Sequence, residues 1–288
     1  MLILDLGFLQ RPSHVMKFRE ALFWSGCWIA LAFAFALLVL RFWGHATAVE
    51  FVAGYIIELS LSLDNLFVFL LIFRYFRVAP EAQHKVLFWG IVGAIAMRAI
   101  FIVVGISMIR RFHWITYIFG ALLVYSGIKL FRQSKLGIEP DNNPVLRLFR
   151  RWVRVTPDYE SDKFIVRRTN LYATPLLAVL VLIETTDLLL ATDSIPAVLA
   201  ITLKPFIVYT SNVFAILGLR SMYFVLAGMM DVFHYLHYGL ALVLIFVGGK
   251  MLASEYYQIP TSITLEVVAG VLLVSVAVSL LHPRSQQP

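Results

Sequence analysis

Cysteine and charge are what this sequence has least of. Of its 288 residues, 14% are charged and only one, Cys27, is a cysteine, whereas 60% are hydrophobic and the mean hydropathy is +0.84. A single cysteine excludes an internal disulfide framework and any CxxC redox or zinc motif. The low share of charge excludes an ordinary soluble globule. The composition therefore predicts a polytopic membrane protein, in which Cys27 is a small apolar residue facing lipid or core.

We also expect neither a secretory leader nor a nucleic-acid partner. The opening MLILDLGFL is too short to span a bilayer and has neither a basic n-region nor a small-residue cleavage site. The net charge is +7, but most lysines and arginines lie in loops between apolar runs. Membrane topology explains that distribution better than a nucleic-acid surface does.

Eight segments are apolar and long enough to cross a bilayer, which requires about 20 residues. They are residues 21–40, 46–73, 86–109, 114–131, 171–200, 206–229, 235–253 and 262–281. These segments predict an all-α transmembrane bundle, a single domain of residues 21–281. An N-terminal segment, 1–20, precedes it, and a tail, 282–288, follows. The one long hydrophilic segment, 132–170, is predicted to be a basic cytoplasmic loop near anionic headgroups.

The distribution of lysine and arginine predicts that both termini are cytoplasmic. With this orientation the cytoplasmic segments carry sixteen basic residues, nine of them between Arg132 and Arg168. The opposite side carries four, which are Arg41, Arg110, Arg111 and Lys204. The expected location is the inner, or plasma, membrane.

Five acidic residues lie inside two of these spans. They are Glu58 and Asp64 in the second span, and Glu184, Asp187 and Asp193 in the fifth. A carboxylate at the centre of a bilayer costs about 2.5 to 3.5 kcal/mol even on the lenient insertion scale. Residues of this kind mark ion pathways, so we expect these acids to be functional.

The two acidic spans begin a predicted internal repeat, in which IELSLSLDNLFV (57–68) aligns with TDLLLATDSIPA (186–197). The matched pairs are Glu58 with Asp187, Asp64 with Asp193, Asn65 with Ser194, Arg98 with Arg220, and Lys129 with Lys250. Each unit holds three spans, so the second unit enters the membrane from the opposite side. Inverted three-helix repeats are a transporter architecture, and we expect alternating access by rocking of one unit against the other.

The acids of each pair converge only if the helix is broken. They are six residues apart, which places them about 240° apart around an ideal helix. Pro196 predicts a break in the second unit because it removes a backbone hydrogen bond and disfavours helical geometry at Ile195. The first unit has no proline or glycine that would break the helix at this point; Ser62 and Asn65 permit a break but do not cause one.

All of the candidate ligands offer oxygen: the five carboxylates, the Asn65 amide and the Ser194 hydroxyl. No histidine lies in the middle of a span, so the site suits a hard divalent cation such as Mn²⁺, Mg²⁺ or Ca²⁺. Arg98 and Arg220 are predicted counter-ions of the empty site. The alternative, that acids and arginines merely pair to hold helices together, leaves three acids without a basic partner.

Enzymatic functions fit less well. An intramembrane aspartyl protease needs two aspartates that share a proton, but no GxGD-type segment surrounds Asp64 or Asp193. A nucleophilic hydrolase would need a histidine base in mid-span, and none is present. We expect neither catalysis nor a cofactor.

At these residues the chain resembles the TerC family of integral membrane proteins, particularly its Alx-like branch. The matching segments include GYIIELSLSLDNLFVFLLIF, GAIAMR, LVLIETTDLLLATDSIPAVLAIT and NVFAILGLRSMYF. The resemblance extends over about residues 15–282 and implies manganese export and metal homeostasis, with tellurium resistance by historical name. It also places the polar motif positions at Glu58, Asp64, Asn65, Glu184, Asp187, Asp193 and Ser194.

Members of this branch usually begin with a further span that ends in a segment like LILDLGFL, here residues 2–9. With that span the protein would have nine, and its N-terminus would lie outside.

These observations predict a transporter that exports a hard divalent cation, foremost Mn²⁺, in exchange for protons. Its partners would be the metal ion and the lipid bilayer, and the oligomeric state stays open. The alternative is a membrane scaffold or stress-response partner that acts through the basic loop.

Overall fold

A computed structural model describes residues 18–132, 151, 153, 155–156, 159–160, 163–167, 171–228, 236–257 and 259–281. Eight helices account for most of these residues. They are α1 (Phe18–Trp43), α2 (His45–Tyr75), α3 (Pro80–Arg111), α4 (Ile115–Arg132), α5 (Pro175–Leu199), α6 (Pro205–Gly228), α7 (Leu236–Leu252) and α8 (Thr261–Leu281). Residues 1–17, much of the basic loop and the tail 282–288 lie outside the described residues.

The helices confirm the predicted all-α polytopic bundle. Among the described residues, seven helices are long and apolar enough to cross a membrane. The remaining helix, α7, has 17 residues and overlaps the predicted span 235–253. The protein is therefore a multi-pass membrane protein.

Two short strands precede α5, where the sequence predicted that a span begins at residue 171. β1 (Ile165–Arg167) and β2 (Leu171–Ala173) pair antiparallel, and Ile165 lies opposite Ala173. The helix starts only at Pro175, because the fixed φ of proline suits the first helical turn and its missing N–H costs nothing there. The predicted start of this span was therefore a few residues early.

Tyr159 and Phe164, which precede the strands in the chain, contact the α2–α3 connection and the first turns of α3. The Tyr159 hydroxyl donates a hydrogen bond to the Phe76 carbonyl at 2.8 Å, and the Lys85 ammonium lies 5.2 Å from the centroid of the Phe164 ring. Partial burial raises the pKa of the Tyr159 phenol, so this group stays a hydrogen-bond donor at neutral pH.

Helices α2 and α6 form the centre of the bundle. Of their most apolar stretches, 67% and 61% of the residues are buried, against 22% for α1 and 17% for α8. All five predicted acids thus lie on, or next to, the innermost helices.

The helices of the two predicted repeat units interleave. Helix α2 packs along α6, α3 along α5, and α4 along α7, whereas α2 makes little contact with α3, and α5 little with α6. Each unit therefore has its main interfaces with the other unit. Rocking of one unit against the other stays a prediction, and it would have to rearrange these three helix interfaces. Besides the α2/α6, α3/α5 and α4/α7 pairs, α3 also contacts α6, and α2 also contacts α5.

Candidate functional site

Arg98 of α3 lies between acids from both predicted units. Its side chain is 1% exposed and forms ion pairs with Glu58 on α2 and with Asp187 on α5. The Arg98 Nη2 atom lies 3.2 Å from Oδ1 of Asp187, and Nε lies 3.5 Å from Oδ2. Nε and Nη2 thus face the Asp187 carboxylate, whereas the third nitrogen, Nη1, faces Glu58. Arg98, a predicted counter-ion, contacts two of the five acids.

The Glu58 side chain is completely buried but only partly satisfied. Its Oε1 atom accepts a hydrogen bond from the Ser62 hydroxyl at 3.3 Å and faces Arg98. Its Oε2 atom has no hydrogen-bond partner among the described residues. Removing one partner of a buried ion pair typically destabilises by about 3 to 5 kcal/mol. The Arg98 bridge therefore holds α2, α3 and α5 together.

Both acidic helices are continuous, so the predicted break near Pro196 is absent. Helix α5 runs from Pro175 to Leu199 with Pro196 inside it, and α2 runs unbroken through both of its acids. Proline removes only the bond that its own N–H would have made to the Thr192 carbonyl, and the surrounding packing retains the helix. The two acids of each pair consequently lie on different sides of their helix.

Asp64 and Asp193, the later acid of each unit, are half-buried, and neither takes part in the Arg98 ion pairs. Asp193 accepts a hydrogen bond from the Ser126 hydroxyl of α4 at 2.7 Å, and the Lys129 charge acts on it from the same helix. Asp64 makes no hydrogen bond or ion pair with any residue that the structure describes. Neither aspartate is held by an arginine.

Glu184 lies beside a small cavity between the α2/α6 and α3/α5 pairs. The cavity is lined by apolar side chains together with Glu184, Asp187 and Arg220. The Glu184 carboxylate packs against Gly93 so closely that a Cβ at position 93 would overlap it. Its Oε2 atom is buried without a hydrogen-bond partner in the described part of the chain. The structure thus gathers Arg220 and two of the acids around one cavity.

Three buried polar side chains, one each on α2, α5 and α6, also have an unsatisfied atom. These atoms are Nδ2 of Asn65, Oγ of Ser194 and Nδ2 of Asn212, each without a hydrogen-bond partner among the residues described. An unsatisfied buried polar group typically costs about 1 to 3 kcal/mol. Asn65 and Ser194 were predicted ligands, but Asn212 was missed, although a lone amide within YTSNVFAIL is a readable signal.

The predicted ligands do not form one compact cluster in this conformation. Within the described ranges, no group of three or more His, Cys, Asp or Glu side chains is close enough to hold a metal ion. The acids instead occupy the Arg98 bridge, the cavity, and the separate positions of Asp64 and Asp193. A ligand set that includes acids from more than one of these places requires helix movement.

Sequence reasoning also missed polar contacts near the helix ends. The Lys204 ammonium, in the α5–α6 connection, lies 3.0 Å from Oε2 of Glu50, which also accepts a hydrogen bond from Thr202 at 2.8 Å. Lys250 donates to the Thr264 hydroxyl of α8 at 3.0 Å. A threonine hydroxyl is uncharged, so the spacing of charged residues could not identify Thr202 or Thr264 as a partner.

The whole arrangement lies within the part of the chain that matches a known family. Residues 43–287 match the sequence profile described as "Integral membrane protein TerC family". The chain belongs to the TerC family. This range contains the five acids and both arginines, so the TerC match covers the entire candidate site.

Named relatives extend over nearly the full chain. An "Uncharacterized membrane protein STKORF319" of Myxococcus xanthus is 48% identical over 99% of this chain and 89% of its own length. The "Putative membrane-bound redox modulator Alx" of Escherichia coli K12 is 44% identical over 96% of this chain and 89% of its own. An "Uncharacterized membrane protein" of Rickettsia bellii is 41% identical, over 98% and 94% respectively. No solved structure matches the chain.

Proposed function

We propose that this TerC family member exports a hard divalent cation, foremost Mn²⁺, across the inner membrane in exchange for protons at the same carboxylates. The observation that carries the proposal is the state of Asp64 and Asp193. Both lie within helices of membrane-spanning length, and neither is paired with an arginine. Carboxylates retained inside a membrane without such a partner are the expected ligands of a passing cation.

Charge balance supports a cationic substrate. The five mid-span acids and the two mid-span arginines carry a net charge of −3 when all are ionised, before the Lys129 charge near Asp193 is counted. A divalent cation removes two of these charges, and protons neutralise the carboxylates when it leaves. The available donors are carboxylate, amide and hydroxyl oxygens, which suit Mn²⁺, Mg²⁺ and Ca²⁺.

The TerC resemblance favours manganese among these ions, since members of the family are associated with manganese export. The name of the Alx relative points instead to redox modulation. The 288 residues here contain one cysteine, Cys27, which is exposed on α1. A dithiol couple within the chain is therefore impossible, and metal export is the better explanation of the buried acids.

The decisive experiment replaces Asp64 or Asp193 by Asn and measures cellular manganese under manganese stress. Each substitution keeps the size of the side chain but removes the charge, so we expect export to fall close to that of cells without the protein. Glu266→Gln is the matched control, because Glu266 is an acid in α8 with an exposed side chain outside the site.

Export by both aspartate variants at the parental rate, with equal amounts of protein in the membrane, would show that the site is wrongly assigned. Purified protein in liposomes, tested with Mn²⁺, Mg²⁺ and Ca²⁺ and a pH-sensitive dye, identifies the ion. Metal movement without an opposing proton flux would remove proton exchange from the proposal.

A further inference from the structure

The ion pairs of Arg98 cross the boundary between two helix pairs. Arg98 and Asp187 both belong to the α3/α5 pair, whereas Glu58 belongs to the α2/α6 pair. The cavity lined by Glu184, Asp187 and Arg220 lies at the same boundary, with lining residues from all four helices. Movement that opens this boundary separates Arg98 from Glu58 and leaves Arg98 with Asp187.

Separation would leave Glu58 buried and charged without a partner. Its side chain is 0% exposed, and its Oε2 atom already lacks a hydrogen-bond partner among the described residues. An uncompensated buried charge is strongly destabilising. An opening motion that keeps Glu58 charged therefore needs a second cation that moves with α2.

Arg220 meets this requirement. It lies on α6, which packs along α2, and it lines the cavity at the boundary. The α2 and α6 helices run parallel, because Gly54 lies beside Ser211 and, toward the other end, Phe73 lies beside Tyr223. Glu58 is thus at the level of residue 215, one to two turns before Arg220. Long side chains on a helix lean toward its N-terminus, so a side chain at position 220 can extend toward the level of Glu58.

We propose that Arg98 is a latch between the α2/α6 and α3/α5 pairs, and that Arg220 replaces it as the partner of Glu58 when the pairs separate. In the described conformation Arg98 holds both Glu58 and Asp187. In the separated conformation each arginine holds the acid of its own helix pair. This inference rests on the proposed transport function, since it supplies the opening step that a carrier needs.

Thiol labelling tests the latch without using the metal. In a Cys27→Ser background, single reporter cysteines replace Leu87 or Ile102, which are buried on α3 on either side of Arg98. A membrane-impermeant maleimide is then applied to vesicles of both orientations. We expect Arg98→Gln to label at least one reporter severalfold faster than the parent, because Glu58 is released to Arg220. We expect Arg220→Gln to label both reporters more slowly than the parent, because the separated state loses its stabilising pair.

Adding Glu58→Gln to Arg220→Gln distinguishes the latch from a purely structural role of Arg220. The loss of a purely structural arginine would not be compensated by the loss of the Glu58 charge. In the latch, Glu58→Gln removes the charge that needs a new partner, so labelling should return to at least the parental rate. Arg98→Lys keeps one charge without the planar fork and should give an intermediate rate, which covers the case that Arg98→Gln does not fold. Faster labelling in both single arginine variants, or no response to Glu58→Gln, would overturn the latch.

The outcomes separate this inference from the proposed function. The expected labelling pattern in a protein that moves no metal would retain the latch and reject the cargo. If the protein transports metal but neither arginine substitution changes the labelling rate, the transport function is retained and the latch is rejected.

Discussion

A single glycine determines whether Glu184 can lie where it does. A Cβ at position 93 would overlap the Glu184 carboxylate, whereas a Cβ at position 90 would lie 3.5 Å from Cγ2 of Ile183, an ordinary contact. We expect Gly93→Ala to displace Glu184 and to reduce metal export clearly, while Gly90→Ala exports like the parent. Manganese accumulation in cells with equal amounts of each variant measures the difference.

The two glycines are on the same helix, so a general effect of alanine on α3 would appear in both variants. Parental export by Gly93→Ala would show that the position of Glu184 is unimportant for transport.

The partners of individual residues were only partly predictable. Charge alone indicates that a buried arginine such as Arg98 lies near acids, because an unpaired buried charge is so unfavourable. Which acids it contacts depends on the register between α3 and its neighbours. That register follows from side-chain packing, which no single helix sequence contains. The Ser126 contact to Asp193 was missed for the same reason.

At the scale of helices, the backbones of α4 and α7 approach each other closely. A Cβ at position 248 would lie 2.7 Å from the Gly120 carbonyl oxygen and 2.9 Å from Cβ of Leu123, and nothing lies within 4 Å of such an atom at position 249. Glycine at a helix crossing lets two backbones approach. The α4/α7 pair thus depends on Gly120 and Gly248.

We expect Gly248→Ala to lower the stability of the purified protein by about 1 to 3 kcal/mol, the usual range for overpacking. Gly249→Ala should be neutral or stabilising by up to about 1 kcal/mol, since alanine favours the helix more than glycine does. Unfolding of both variants in the same detergent measures the contrast. Equal stability of the two would mean that the close approach of α4 and α7 does not hold the bundle together.

Helix positions were predictable because each predicted span overlaps one helix, and apolar length alone carries that information. The effect of Pro196 on the helix was not predictable from the sequence. A proline disrupts an isolated helix, but α5 packs against other helices in a membrane. No water is available there to form hydrogen bonds with backbone groups that a break would free. Continuing the helix therefore satisfies more hydrogen bonds than breaking it would.

At the scale of the whole molecule, interleaving is the feature that the sequence could not predict. The alignment of the acidic spans indicates two units, but it contains no information on which helices pack together. Pairing α2 with α6 and α3 with α5 brings acids and arginines of both units to one boundary. The inverted orientation of the units stays a prediction, as does the cytoplasmic placement of the termini.

The basic loop offers a test that separates transport from scaffolding. Five of its basic residues precede Tyr159 and Phe164, which contact the α2–α3 connection and α3. They are Lys135, Arg147, Arg150, Arg151 and Arg154. Replacing all five by Gln leaves eleven basic residues against four on the two predicted sides, so the orientation should not change. None of the five contributes an oxygen ligand. We therefore expect the variant to export manganese at the parental rate, measured in cells and in liposomes, whereas a scaffold acting through this loop would lose its function although Asp64 and Asp193 are intact.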